Sequence, residues 1–105
     1  MYTVVISEKA DSDIREIYEY IAYTLRSLMN AENQLGRLYK SMKGLDQMPE
    51  RCPLVPDKKC RDRNIRFDTV DNYSIFYMVD KENQTVTILH IFYSGRDIDS
   101  LLKDL

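Results

Sequence analysis

Along this chain the apolar residues fall at every second position in some stretches and at every third or fourth in others, and each change of period marks a change of element. Tyr2, Val4 and Ile6 alternate with Thr3 and Val5, which predicts a short strand running straight into Ser7. Behind it Ala10, Ile14, Ile17, Tyr18, Ile21, Leu25 and Leu28 recur at helical steps, so residues 7–28 are predicted as an amphipathic helix. Ser7 is its natural cap, because a serine hydroxyl accepts from an orphan amide of the first turn. Asn30 reads as the next cap. From there Ala31, Leu35, Leu38, Met42 and Leu45 carry the helical spacing over residues 30–48, where Pro49 disfavours a helical Met48.

Residues 49–63 then turn polar, with Pro53, Pro56 and a run of charges, and are predicted as an ordered surface loop. An extended pattern resumes over residues 65–70, with Ile65 and Phe67 on one side and Arg66 and Asp68 on the other. Residues 73–79 and 85–93 are dense in β-branched and aromatic residues around the solvated connection at 80–84, which predicts a hairpin. Both of its strands are apolar on both faces and belong in mid-sheet. Ser94 and Gly95 break the ladder, and Asp97 can cap a last turn over residues 98–102. The order is strand, helix, helix and three strands. It predicts an α+β fold with one domain over residues 1–105: an antiparallel sheet of about four strands, with the helical hairpin packed on one face.

Charge changes this picture locally. The net charge of −2 hides an acidic stretch, with Glu8, Asp11, Asp13, Glu16 and Glu19, and a basic one, with Arg51, Lys58, Lys59, Arg61, Arg63 and Arg66. Overall acidity argues against a generic polyanion binder, yet nearby charges dominate under screening, so the basic stripe can still meet phosphates. No basic-then-apolar leader and no run long enough to span a membrane is found, which leads to the expectation of a cytoplasmic protein without a membrane role. Cys52 and Cys60 read as two loop thiols, and with a single histidine no metal set or cofactor is expected. Chemistry is sought at the hairpin, where His90 is the one histidine within an apolar strand, with Arg96 just beyond it and Arg66 on the preceding segment. Each admits a structural reading: a hydrogen-bonded core imidazole, an anchor for the terminal turn and a cross-strand ion pair.

The chain also resembles the RelE/ParE superfamily of type II toxin–antitoxin toxins. The resemblance is carried by Ser7-x-x-Ala10-x-x-Asp13-Ile14-x-x-Ile17-Tyr18-x-Tyr20-Ile21-Ala22, by Met48-Pro49-Glu50-Arg51 with Pro53-Leu54-Val55, by Asp71-Asn72-Tyr73-x-Ile75-Phe76-Tyr77, and by Tyr93-x-x-Arg96-Asp97. It implies a small toxin held inactive by a cognate antitoxin that wraps its surface, the two forming a hetero-oligomer. Some members cut messenger RNA on the ribosome, whereas ParE-type members inhibit DNA gyrase without that chemistry. RNA cleavage through the 2′-hydroxyl needs a proton acceptor, a proton donor and cations on the phosphate. On the nuclease reading Arg66 and Arg96 clamp the phosphate and His90 moves a proton, while Lys58, Lys59, Arg61, Arg63 and Tyr93 contact the RNA or the target. The second reading is a gyrase-directed toxin in which these residues are structural, and the third is an inactive homologue that binds antitoxin. His90 stands where many relatives have arginine, and unlike arginine a histidine can act as a general acid or base near neutral pH. Two further departures weigh against the nuclease: no aromatic residue follows Arg96 to stack a base, and the chain lacks the strong positive excess typical of ribosome-directed relatives.

Overall fold

Ser7 converts the first strand into the first helix. Its hydroxyl accepts from the Ala10 N–H at 3.1 Å, so β1 (Thr3–Ile6) passes into α1 (Glu8–Glu19) with no loop between them. The computed structural model describes residues 1–95, 98–103 and 105. Over these the chain continues through α2 (Leu28–Lys43), α3 (Lys58–Asp62), β2 (Ile65–Val70), β3 (Tyr73–Asp80), β4 (Thr85–Tyr93) and α4 (Ile98–Leu102). Arg96 and the expected cap at Asp97 lie outside the described residues.

The sheet order is β1-β4-β3-β2, so the hairpin strands occupy the middle, as their two apolar faces require. The expectation of a wholly antiparallel sheet needs correction. β2, β3 and β4 form an antiparallel meander, but β1 lies parallel to β4, with Thr3 beside Thr85 and Ile6 beside Ile88. Alternation within one strand specifies the face it buries and says nothing of its partner. Here the helices and two strands of the meander intervene before the partner arrives, and so long a crossover permits a parallel pairing.

The helical hairpin departs from its expected bounds in two places. After Glu19 the first helix widens into a π-helical turn, Tyr20–Thr24, and Arg26 (φ 55°) reverses the chain. The second helix is capped by Ser27, whose hydroxyl accepts from Asn30 N at 3.2 Å. Asn30, expected as that cap, therefore sits inside the first turn. At its far end α2 stops at Lys43, tightens into a 3-10 turn at Gly44–Asp46 and leaves through Met48 (φ 48°), because Pro49 excludes ordinary helical geometry there. The expected loop also contains more structure than its polarity implies, namely a 3-10 turn at Pro49–Arg51 and the short α3.

Two apolar clusters hold the sheet. Ala10, Ile14, Leu38, Met42 and Leu45 of the helical layer pack on Ile75, Tyr77, Val86 and Ile88. On the other face Val55, Cys60, Phe76, Phe92 and Leu101 form a smaller cluster, so α3 and α4 supply a second cover. The outer edge of β2 is capped by the preceding segment, through Val55 N to Ile65 O at 2.9 Å and Phe67 N to Pro53 O at 3.2 Å. Among the described residues no helix is long and apolar enough to cross a membrane.

Candidate functional site

β1 ends opposite Ile88 and leaves the last half of β4 with an open edge. The start of α1 closes it. Ser7 N donates to Ile88 O at 3.0 Å, Ser7 Oγ donates to Leu89 O at 3.1 Å, and Asp13 Oδ2 accepts from Ile91 N at 2.9 Å. The same Asp13 oxygen lies 3.0 Å from His90 Nδ1, which makes Nδ1 the donor nitrogen. The imidazole stacks on Phe92, with ring centres 4.7 Å apart and planes 17° from parallel. His90 is only 9% exposed, and its Nε2 is buried without a hydrogen-bond partner among the described residues. A general acid or base must reach substrate directly or through water, and burial denies this nitrogen direct contact with solvent, while the rest of the residue borders a small cavity with Ser7, Glu8 and Lys9.

Arg66 is committed elsewhere. Its guanidinium donates to the carbonyls of Cys52 at 2.7 Å and Glu50 at 3.0 Å, and to Asn64 Oδ1 at 3.1 Å. It also pairs with the Glu50 carboxylate at 3.4 Å. The side chain is 15% exposed and stitches the 49–53 segment to the sheet. Asn64, in the left-handed region at φ 55°, adds a bond to Glu50 Oε2 at 3.0 Å. That bond is the first cause holding the Glu50 carboxyl below its ordinary range, with Lys81 at 3.2 Å assisting against desolvation. The expected ion pair of Arg66 with acidic neighbours is thus present, but it runs to Glu50 of the preceding segment instead of across the strands. Arg66 lies in register with Tyr77, whose ring belongs to the helix-side core, whereas His90 lies in register with Phe76 of the opposite core. The two residues face away from each other through the sheet, so of the expected convergence of Arg66, His90 and Arg96 on one phosphate the first two do not meet, and Arg96 lies outside the described residues.

The remaining expected contacts divide into two groups. Lys58, Lys59, Arg61 and Arg63 are exposed on and just after α3, forming a basic patch. Lys58 pairs with Asp62 at 3.6 Å, and the Arg63 guanidinium donates to the Leu105 carbonyl. Beneath them Cys60 is buried in the helix, not exposed in a loop, and burial, followed by Asp57, pushes its thiol pKa up. Tyr93 is at the other end of the sheet. Its ring meets Tyr73 edge to face at 6.0 Å, and both line a cavity of about 620 Å³ between the π-helical turn and the end of the hairpin, together with Asp13, Glu16, Tyr20 and Leu25.

Neither the Asp13–His90 pair, nor the Glu50–Asn64–Arg66 cluster, nor this cavity was predicted. Asp13 and Glu50 do stand inside the motifs quoted above, so their place in a pattern was visible. Their partners, 77 and 16 residues away, were not.

The family described as "ParE toxin of type II toxin-antitoxin system, parDE" matches residues 4–98. Curated protein sequences offer no significant match. Among solved structures, the chain is similar to a chromosomal ParDE toxin–antitoxin system from P. aeruginosa, with a TM-score of 0.72 at 20% identity over 89% of this chain and 96% of that one. It is similar also to the RelBE2 complex of Mycobacterium tuberculosis, with a TM-score of 0.64 at 19% identity over 88% and 96%. The isolated RelE toxin of E. coli is matched over 100% of both chains, with a TM-score of 0.61 at 15% identity. At these identities the structural likeness is one of fold. The family match, spanning nearly all of β1 through the start of α4, is one of sequence, and by it the chain belongs to the ParE toxin family of type II toxin–antitoxin systems.

Proposed function

We propose that this toxin is held in check by a cognate antitoxin and, when free, acts on DNA gyrase through its surface without cutting messenger RNA. The observation that carries this reading is the separation of Arg66 and His90. Cleavage through the 2′-hydroxyl needs proton-transfer groups and cations around one phosphate. Arg66 instead spends its donors on two carbonyls, Asn64 and Glu50, and His90 turns Nδ1 to Asp13 with Nε2 buried on the opposite face. The family match supports the same direction, since ParE-type toxins are those that the resemblance connects with gyrase. An antitoxin partner is supported by the likeness to ParDE and RelBE structures, and the α3 patch suits an acidic antitoxin segment. The test is to add purified toxin to a translating extract. Messenger RNA should remain full length at every toxin concentration, and codon-dependent cleavage would overturn the reading.

A further inference from the structure

The cavity at the end of the hairpin combines two kinds of wall. Tyr20, Tyr73 and Tyr93 supply aromatic surface, while Asp13 and Glu16 supply carboxylates. Tyr73 and Tyr93 meet edge to face. Tyr20 stands close enough that its phenol, with that of Tyr93, adds to burial in raising the pKa of the Tyr73 phenol. Asp13 is fixed by the Ile91 N–H and the His90 imidazole, and Glu16 follows it by three residues on the same helix face. An aromatic face attracts a cation through its quadrupole, and adjacent carboxylates add ion pairing. The same walls repel phosphate.

Leu25, part of the cavity wall, is 57% exposed, and Leu28 and Met29, which follow it at the start of α2, are 57% and 73% exposed, so the chain leaving the cavity wall carries further exposed apolar area. A small free cation leaves that area bare, whereas a polypeptide covers it with apolar side chains beside the cationic one. Large apolar area is characteristic of partners that remain bound, which favours the antitoxin over a target met transiently.

We infer that this cavity seats an arginine or lysine side chain of the cognate antitoxin, with neighbouring apolar residues of the antitoxin laid over Leu25, Leu28 and Met29. The inference rests on the two-component reading above. It is tested by titration calorimetry of the antitoxin encoded beside the toxin gene, against wild-type toxin, Glu16→Gln, Tyr93→Leu and Tyr93→Phe. Each antitoxin Lys or Arg is also replaced in turn by Gln. Glu16→Gln and Tyr93→Leu should each weaken binding about 3- to 30-fold, while Tyr93→Phe, which keeps the ring, should bind as wild type. One antitoxin Lys or Arg should share the loss, so that combining its replacement with Glu16→Gln weakens binding no further. Unchanged affinity in both weakened variants would overturn the inference, as would losses coupled to no basic antitoxin residue. If the variants lose gyrase inhibition but keep antitoxin affinity, the cavity belongs to the target and the inference falls. Failure of wild-type toxin to bind the antitoxin at all would instead remove the two-component reading on which the inference stands. Circular dichroism of each variant separates these outcomes from misfolding.

Discussion

Arg66 shows how the same residue reads differently by composition and by contact. In the sequence it is the last member of a basic stripe; in the fold it is a structural clamp whose fork sends Nε to Asn64, Nη1 to two carbonyls and Nη2 to the Glu50 carboxylate. Lysine cannot reproduce that fork, so Arg66→Lys should destabilise the protein by about 1–3 kcal/mol despite keeping the charge. Urea denaturation checks this, and an unchanged midpoint would mean that the clamp contributes nothing. Acid should loosen this clamp and the two turns that flank β3. Glu50 is held below its ordinary range first by Asn64, Asp71 first by Arg37, and Asp80 by Asn83. A depressed carboxylate contributes stability that is complete above its unfolded pKa and is lost as pH falls through the folded value, because the unfolded chain takes up protons first. The urea midpoint should therefore drop between about pH 5 and about pH 2, and Glu50→Gln should flatten part of the drop. The partners responsible were illegible because hydrogen bonds between residues far apart in sequence leave no local pattern. His90 is a partial exception, since the reading of a hydrogen-bonded core histidine was available from its apolar strand.

At the scale of elements, periodicity located every main helix and strand, and failed where chain direction or helix pitch changed. The hairpin at β3 and β4 was found almost to the residue, because alternating β-branched and aromatic residues bounded by five polar ones leave few alternatives. The π-helical turn was missed, since apolar steps of three and four continue through Ile21 to Leu25 whether or not one turn is widened. The parallel placement of β1 was missed for the reason already given, that a strand's own pattern does not name its neighbour. Helical periodicity identified most of the residues facing the sheet, but it placed Leu25 and Leu28 on the same stripe, and both are exposed because the π-helical turn and the reversal at Arg26 carry them off it. Leu38 is fully buried in the helix-side cluster, so Leu38→Ala should cost about 2–5 kcal/mol through lost transfer energy and a cavity. A denaturant-derived loss well below that range would place the α2 stripe outside the core.

Across the whole molecule, charge is distributed by end and by face. Basic α3 stands near the start of β2, whereas the tyrosine and carboxylate cavity stands at the far end of β3 and β4. Among the described residues Arg66 and His90 share no site, and the proposed gyrase-directed reading rests on that separation. The family was legible from four motifs in order, because motifs that shape helix starts, turns and strand ends persist as sequence. The mode of action was not, because it depends on which face each side chain occupies. The most direct measurement is a gyrase supercoiling assay with purified toxin. Supercoiling should be inhibited and gyrase-cleaved DNA should accumulate as toxin is added, antitoxin should reverse both effects, and His90→Gln, if folded, should inhibit as wild type does. Gyrase that remains fully active in excess toxin, with messenger RNA cleaved by the same preparation in a translating extract, would contradict the gyrase-directed reading.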